Sequence, residues 1–335
     1  MNPLKKTAKF MLHDLGGIHG FRRAYAKGIR ILMYHRFTPD TSELERQCEL
    51  LRRYYNPVSL AAISEYLING KQLPQNAVAI TVDDGYRDFF TVAHPIFSAY
   101  KIPATVFPVS DFVDRKCWLW WDQIAFAFQQ TTQEMLEVPI GDEELLRYPL
   151  RTTTERQAAA TAVVRIALKS ANAKRLRLLD NVISGLEVSL SNEPPSCSAA
   201  LSWDEVRFLA TKGVEFGSHT KTHPILSRLS DPSDIRTELV LSKQRLEEEL
   251  GRPVVHFCYP NGGAQDFDAR AITILEESGF RTAVTANLGL NIPGDPMLRL
   301  KRIFVESNMP AWLFQEWVDG RWRIFRGEHQ AGDGL

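Results

Sequence analysis

Seven short runs rich in β-branched and aromatic residues, separated by helical patterns, narrow the folds open to this chain more than any other feature. The runs are Gly28–Tyr34, Ala77–Val82, Ala104–Val109, Val214–Gly217, Val254–Tyr259, Thr282–Val284 and Leu298–Val305. Helical periodicity marks Glu43–Tyr54, Leu60–Asn69, Asp88–Tyr100, Trp203–Thr211, Asp231–Leu250 and Asp268–Ser278. Strand and helix alternate from end to end. That order implies an α/β fold with a parallel sheet and helices outside it, either open or closed into a barrel. Polar residues with chemical potential fall just after the strands, where β/α barrels build their sites.

The rhythm breaks from about Asp111 to Ala200, where helical patterns run with no clear strand among them and end in the Ser/Pro-rich SNEPPSCS. This reads as a helical insertion, residues 111–199, over one rim of the α/β unit formed by residues 28–110 and 200–305. A helical segment, 1–27, precedes it, and an amphipathic segment with a tail, 306–335, follows.

With 335 residues, 44% of them hydrophobic, the chain can build a sizeable core. Forty basic residues balance forty acidic ones, so no global field favours nucleic acid. Cys48, Cys117, Cys197 and Cys258 are scattered, without a Cys-x-x-Cys pair, and fit free thiols in a reducing compartment. The N-terminal MNPLKKTAKFMLHDLGG lacks the apolar stretch and cleavage site of a signal peptide. No segment approaches the ~20 apolar residues of a membrane-spanning helix. The expectation is a cytoplasmic protein.

Two segments carry chemistry. The run Val78–Val82 leads directly into Asp83-Asp84-Gly85-Tyr86. Adjacent carboxylates disfavour each other's ionisation, and a metal ion that takes one of them leaves the other as a candidate base; a plain Asp-Asp-Gly turn is the other reading. The second segment, Gly217-Ser218-His219-Thr220-Lys221-Thr222-His223-Pro224, again follows a strand. Histidines four apart share one face of a helical turn, so both imidazoles can reach one cation. Joined to the aspartates, they make a 2-His-1-carboxylate set with open positions, suited to zinc or another divalent first-row metal.

At these residues the chain resembles the polysaccharide deacetylases, the NodB-homology group or carbohydrate esterase family 4. Thr81-Val82-Asp83-Asp84-Gly85-Tyr86 looks like the family's first motif and His219 to His223 its second. Phe257-Cys258-Tyr259-Pro260-Asn261-Gly262 resembles the third. The resemblance implies an irregular (β/α) barrel of about seven parallel strands that hydrolyses the N-acyl group, acetyl in the usual case, of an amino sugar. It implies that Asp84, His219 and His223 bind a divalent ion, zinc being the first choice, and that Asp83 is the general base. Tyr259, Pro260 and the backbone N–H near Asn261 would face the oxyanion and substrate.

The chain departs from the common pattern at its last strand, Leu300–Glu306, which lacks the histidine of the family's Leu-x-His motif. A branch of the family opens instead with Tyr-His, matched here by Tyr34-His35. The resemblance thus makes His35 the general acid, expected across the metal from Asp83. Trp121, in the cluster Trp118, Trp120, Trp121, is a candidate for stacking on a sugar ring, the other reading being that these tryptophans anchor the insertion. His256, His94, His13, His19 and His329 receive no catalytic role. The partner expected is an amino sugar in a polysaccharide or glycoconjugate precursor, with an inactive carbohydrate-binding scaffold, an O-acetyl esterase or a deformylase as alternatives. The aromatic and basic segments Trp312–Arg326 and Leu4–Leu15 are of the type that lies on an anionic membrane surface, which would put peripheral contact at the inner membrane face. Helices packed on the barrel are the other reading.

Overall fold

The computed structural model describes residues 27–139 and 145–321. Each of the seven runs forms a strand: β1 (Arg30–Tyr34), β2 (Ala77–Asp84), β3 (Ala104–Pro108), β4 (Glu215–Phe216), β5 (His256–Cys258), β6 (Thr282–Leu288) and β7 (Leu300–Phe304). All pair in parallel in the order β4-β3-β2-β1-β7-β6-β5, and the two-residue strand Asn56–Pro57 adds to the start of β2. Ser218 joins the two ends of this order. Its N–H donates to the His256 carbonyl and its own carbonyl accepts from Cys258 N–H, both at 2.9 Å. The sheet is therefore a nearly closed barrel of seven strands, as the resemblance implied.

Side-chain parity sorts each strand into a lumen face and a helix face. Val78, Ile80 and Val82 of β2 pack outward with Leu44 and Leu51 of α1 (Ser42–Tyr54). Ala79 turns inward with Ile31, Phe107, Val284 and Leu300, and Leu60 and Ile63 of α2 (Leu60–Asn69) pack against this lumen cluster. Continuing the inward parity, 79-81-83 on β2 and 31-33-35 on β1, carries Asp83 and His35 to the barrel mouth. One glycine is forced by the closure: a Cβ on Gly217 would lie 2.3 Å from the Phe107 ring and 2.7 Å from the His256 carbonyl oxygen.

A π-helical turn, Phe89–Ala93, leads into α3 (His94–Ala99), and α4 (Ser110–Val113) follows β3. The insertion then holds α5 (Trp120–Gln130), α6 (Thr153–Lys169) and α7 (Asn172–Gly185). It is not purely helical, as the sequence reading had it: Met135–Pro139 and Leu145–Pro149 pair as an antiparallel hairpin. These helices and the hairpin enclose a cluster of their own, including Trp120, Phe128, Leu136, Val138, Val163 and Val182. The exit of the insertion is tied back beneath the first motif, where Arg87 N–H donates to Ala199 and Leu201 N–H to Gly85, at 2.8 and 2.9 Å.

The second half returns to alternation with α8 (Trp203–Thr211), α9 (Pro232–Leu250) and α10 (Ala269–Glu277). Ser202 and Glu205 form a reciprocal capping box that starts α8. The last helix, α11 (Ala311–Val318), buries Phe314 and Val318 in the main core, while Trp312 is 51% exposed. The described part of the C-terminal segment thus packs on the barrel. The rest of that segment and residues 1–26 lie outside the described residues.

Candidate metal centre and catalytic cavity

Asp84 ends β2 in the left-handed region, at φ 71°. Gly85 follows at φ 85°, where a Cβ would meet Pro108 at 2.7 Å, so the turn after the aspartates requires glycine. The histidine pair does not sit on a helical turn. It lies on a loop after β4 in which Thr220 and His223 have φ of 66° and 61°. Glu238 of α9 holds that loop: its carboxylate accepts from the N–H of Lys221 and Thr222 at 2.9 and 2.8 Å. His223 N–H in turn donates to Thr220 Oγ1 at 3.0 Å. Held this way, both rings reach one oxygen, with His219 Nε2 3.4 Å and His223 Nε2 3.6 Å from Asp84 Oδ1.

The donor chemistry fits a cation there. His219 Nδ1 is 2.8 Å from the Cys258 carbonyl oxygen, which can only accept. That bond places the ring proton on Nδ1 and aims the Nε2 lone pair at Asp84, the arrangement second-shell partners impose on metal-bound histidines. Lone pairs facing one another in a buried site repel unless a proton or metal ion lies between them. Ligands at roughly 2.0–2.2 Å from a tetrahedral ion stand about 3.3–3.6 Å apart, which matches these separations. A second cluster, Asp83, His219 and Cys258, is close enough to share an ion. Its donors are already engaged. Arg302 takes both Asp83 oxygens at 2.7 Å and approaches Cys258 Sγ at 3.2 Å, which leaves Asp84, His219 and His223 as the group with free donors for a cation.

Charges follow from the same contacts. Burial opposes ionisation of Asp83, but the Arg302 guanidinium more than offsets it and holds the carboxyl well below the usual range. Burial likewise opposes charge on Asp84, and its bond to His219 with the nearby imidazoles outweighs it, so the carboxyl is lowered. Burial together with the neighbouring His219 charge pushes His223 down to about 3. Burial also works against a proton on His219, yet Cys258 and Asp84 overcome it and His219 is raised.

Above this centre lies a cavity of about 420 Å³ lined by His35, Arg36, Asp83, Asp84, Tyr86, His219, His223 and Asn261 from the barrel. Trp120, Trp121 and Asp122 of α5 and Val164 and Leu168 of α6 complete it. His35 opens into the cavity, with its Nε2 3.6 Å from Asp83 Oδ2. It therefore stands beside Asp83 and not across from it. The register explains this: β1 and β2 are neighbours with Tyr34 opposite Val82, which sets His35 next to Asp83. Asn261 reaches the cavity at φ 61°. The Tyr259 side chain does not, since its ring stacks on Phe267 at 3.9 Å and its hydroxyl donates to Leu298; Pro260 is buried beside it. Trp118 and Trp120 are each 6% exposed and anchor the insertion. Trp121 faces the cavity, packs edge-on against His223 at 4.7 Å, and donates its indole N–H to Tyr86 Oη.

Sequence reasoning passed over Arg302, Arg36 and the apolar pair Val164 and Leu168. A buried arginine needs a partner, but nothing around Lys301-Arg302 in the sequence says that Arg302 faces the lumen or which residue it meets.

A polysaccharide deacetylase family model matches residues 70–283. The poly-β-1,6-N-acetyl-D-glucosamine N-deacetylase of Escherichia coli K12 is 47% identical over 75 residues, 22% of this chain and 11% of that protein. The chain thus matches only about a tenth of that relative's length. Among solved structures, the Streptococcus pyogenes deacetylase PplD in complex with acetate aligns with TM-score 0.57 at 19% identity, over 87% of this chain and 98% of that one. IcaB from Ammonifex degensii aligns with TM-score 0.56 at 18% identity, over 88% and 98%. At these identities the likeness is one of fold.

Proposed function

Because the chain belongs to the polysaccharide deacetylase family, we propose that this deacetylase uses a divalent metal ion, zinc first, to remove the N-acetyl group of an amino sugar in a polysaccharide or glycoconjugate precursor. The observation that carries the reading is the convergence of Asp84, His219 and His223 beside the ionised Asp83. A bound ion supplies an acidified water and polarises the amide carbonyl. Arg302 keeps Asp83 charged and fixes its orientation, so that it can take a proton from the attacking water. The Asn261 backbone borders the place where the carbonyl oxygen gains charge. His35, open to the cavity, would give a proton to the departing amine, which leaves poorly without one. Trp121 would bound the substrate where it abuts His223 in the cavity.

The partial match to a poly-β-1,6-N-acetylglucosamine N-deacetylase supports an N-acetylhexosamine unit as the substrate. An inactive scaffold on the same fold has no need for a complete ligand set beside a held base. Incubation of the zinc-loaded protein with β-1,6-linked N-acetylglucosamine oligomers should release acetate, read by the mass loss of the sugar. No loss from these or other N-acylated sugars would sink the reading. We also propose a cytoplasmic setting, supported by four cysteines that are all free; cell fractionation tests it.

A further inference from the structure

The two sides of the cavity differ in chemistry. On the side of Asp83 stand His35 and Arg36, with Arg36 Nε 2.7 Å from Asp88 and its guanidinium 3.9 Å over the Tyr86 ring. Tyr86 Oη donates to Asp122 at 2.7 Å, so hydroxyl and carboxyl groups face the space there. Apolar lining comes from the insertion. Trp121 abuts His223, and Val164 and Leu168, one turn apart on α6, rest one flank on the insertion's core and leave the other to the cavity.

An amide carbonyl carbon held at the metal has two substituents that must leave in different directions. The nitrogen, with its sugar, goes toward the group that protonates it, His35, and so toward the polar side. The acyl chain is left pointing at His223, Trp121, Val164 and Leu168. A single methyl is smaller than the apolar surface that Trp121, Val164 and Leu168 together present to the cavity. We infer that the insertion forms an acyl-chain recess, and that the protein accepts N-acyl amino sugars with chains longer than acetyl. This rests on the deacetylase reading for the direction of the amide and deepens it by naming the acyl specificity.

Free carboxylates, the acyl products, test the recess without turnover. Calorimetric titration of the zinc-loaded full chain with acetate, butyrate and hexanoate should show affinity rising with length, hexanoate binding at least tenfold more tightly than acetate, since each buried methylene contributes up to about fourfold. The gain from acetate to hexanoate should vanish in Leu168→Gln; Val164→Thr, nearly isosteric, should reduce it if Leu168→Gln does not fold. Equal affinity for acetate and hexanoate overturns the recess whether or not the protein is an active deacetylase. In a turnover arm, N-hexanoylglucosamine should be cleaved with a higher kcat/KM than N-acetylglucosamine. A gain seen only with the hexyl glycoside of N-acetylglucosamine would put the apolar chain at the other end of the sugar and overturn the acyl assignment. Absence of product from every sugar, with hexanoate still favoured in calorimetry, would strike the deacetylase reading and leave the recess standing.

Discussion

Asp84, His219 and His223 were legible because their spacing and their place after strands are local properties of the chain. Their convergence on one oxygen gives the first prediction. Purified protein should carry about one divalent ion per chain, and His219→Ala should abolish its retention in elemental analysis, because two remaining donors do not hold a buried ion. Arg302 was not legible, since its partner Asp83 lies 219 residues away and only barrel closure brings them together. Both groups are nearly inaccessible, at 1% and 3% side-chain exposure. Removing one partner of such a pair strands a buried charge, which typically costs about 3–5 kcal/mol. Arg302→Met should therefore lower stability by an amount of that order in denaturant titration. Arg302→Lys restores charge without the two-pronged contact and should recover only part of it. His35 differs from both. It is half-buried and open to the cavity, so His35→Ala should lower kcat by about 10²–10⁴-fold with metal content intact. Near-normal turnover in that variant would pass the role to another group.

At the scale of elements, all seven barrel strands were readable because a strand buried on both faces is a continuous apolar run flanked by turn residues. The insertion hairpin was missed although Met135–Pro139 alternates exposed and buried residues in strict period two. It is five residues long, ends in proline, and lies among stronger helical patterns, so the helix period dominated the window. The histidine loop was misread for a related reason: a four-residue spacing fits a helical turn, but the two left-handed residues, Thr220 and His223, fold it into a compact loop whose N–H groups are gathered by Glu238. Gly217 is the tightest point between strand and loop. In Gly217→Ala the added methyl would force Phe107 or the His256 carbonyl to move, at a cost of about 1–3 kcal/mol from overpacking. The same shift pulls on Ser218 and the adjacent His219. Gly217→Ala should therefore lose metal affinity as well as melting temperature, whereas a purely structural lesion would leave affinity alone.

For the molecule as a whole, closure of the barrel is what makes a site from segments that no window of sequence shows together. His35 comes from β1, Asp83 and Asp84 from β2, the histidines from the loop after β4, Asn261 from the loop after β5, and Arg302 from β7. The proposed ion would join β2 to the β4 loop, so it should act as a staple on the fold as well as a cofactor. A ligand that binds only the native state stabilises by RT ln(1 + [L]/Kd), about 2.7 kcal/mol at a hundredfold excess over Kd. For a chain of this size that corresponds to a rise in Tm on the order of 5 °C. The insertion has its own core and touches the site through Trp121, Val164 and Leu168, so its unfolding need not coincide with that of the barrel. Zinc added to chelator-treated protein should therefore raise the transition that carries the barrel, as followed by calorimetry, and chelator should reverse the rise. In His219→Ala the transition should not move with zinc at all. A zinc-dependent rise of the same size in that variant would place the ion elsewhere in the molecule and remove the physical basis for assigning Asp84 and the two histidines to it.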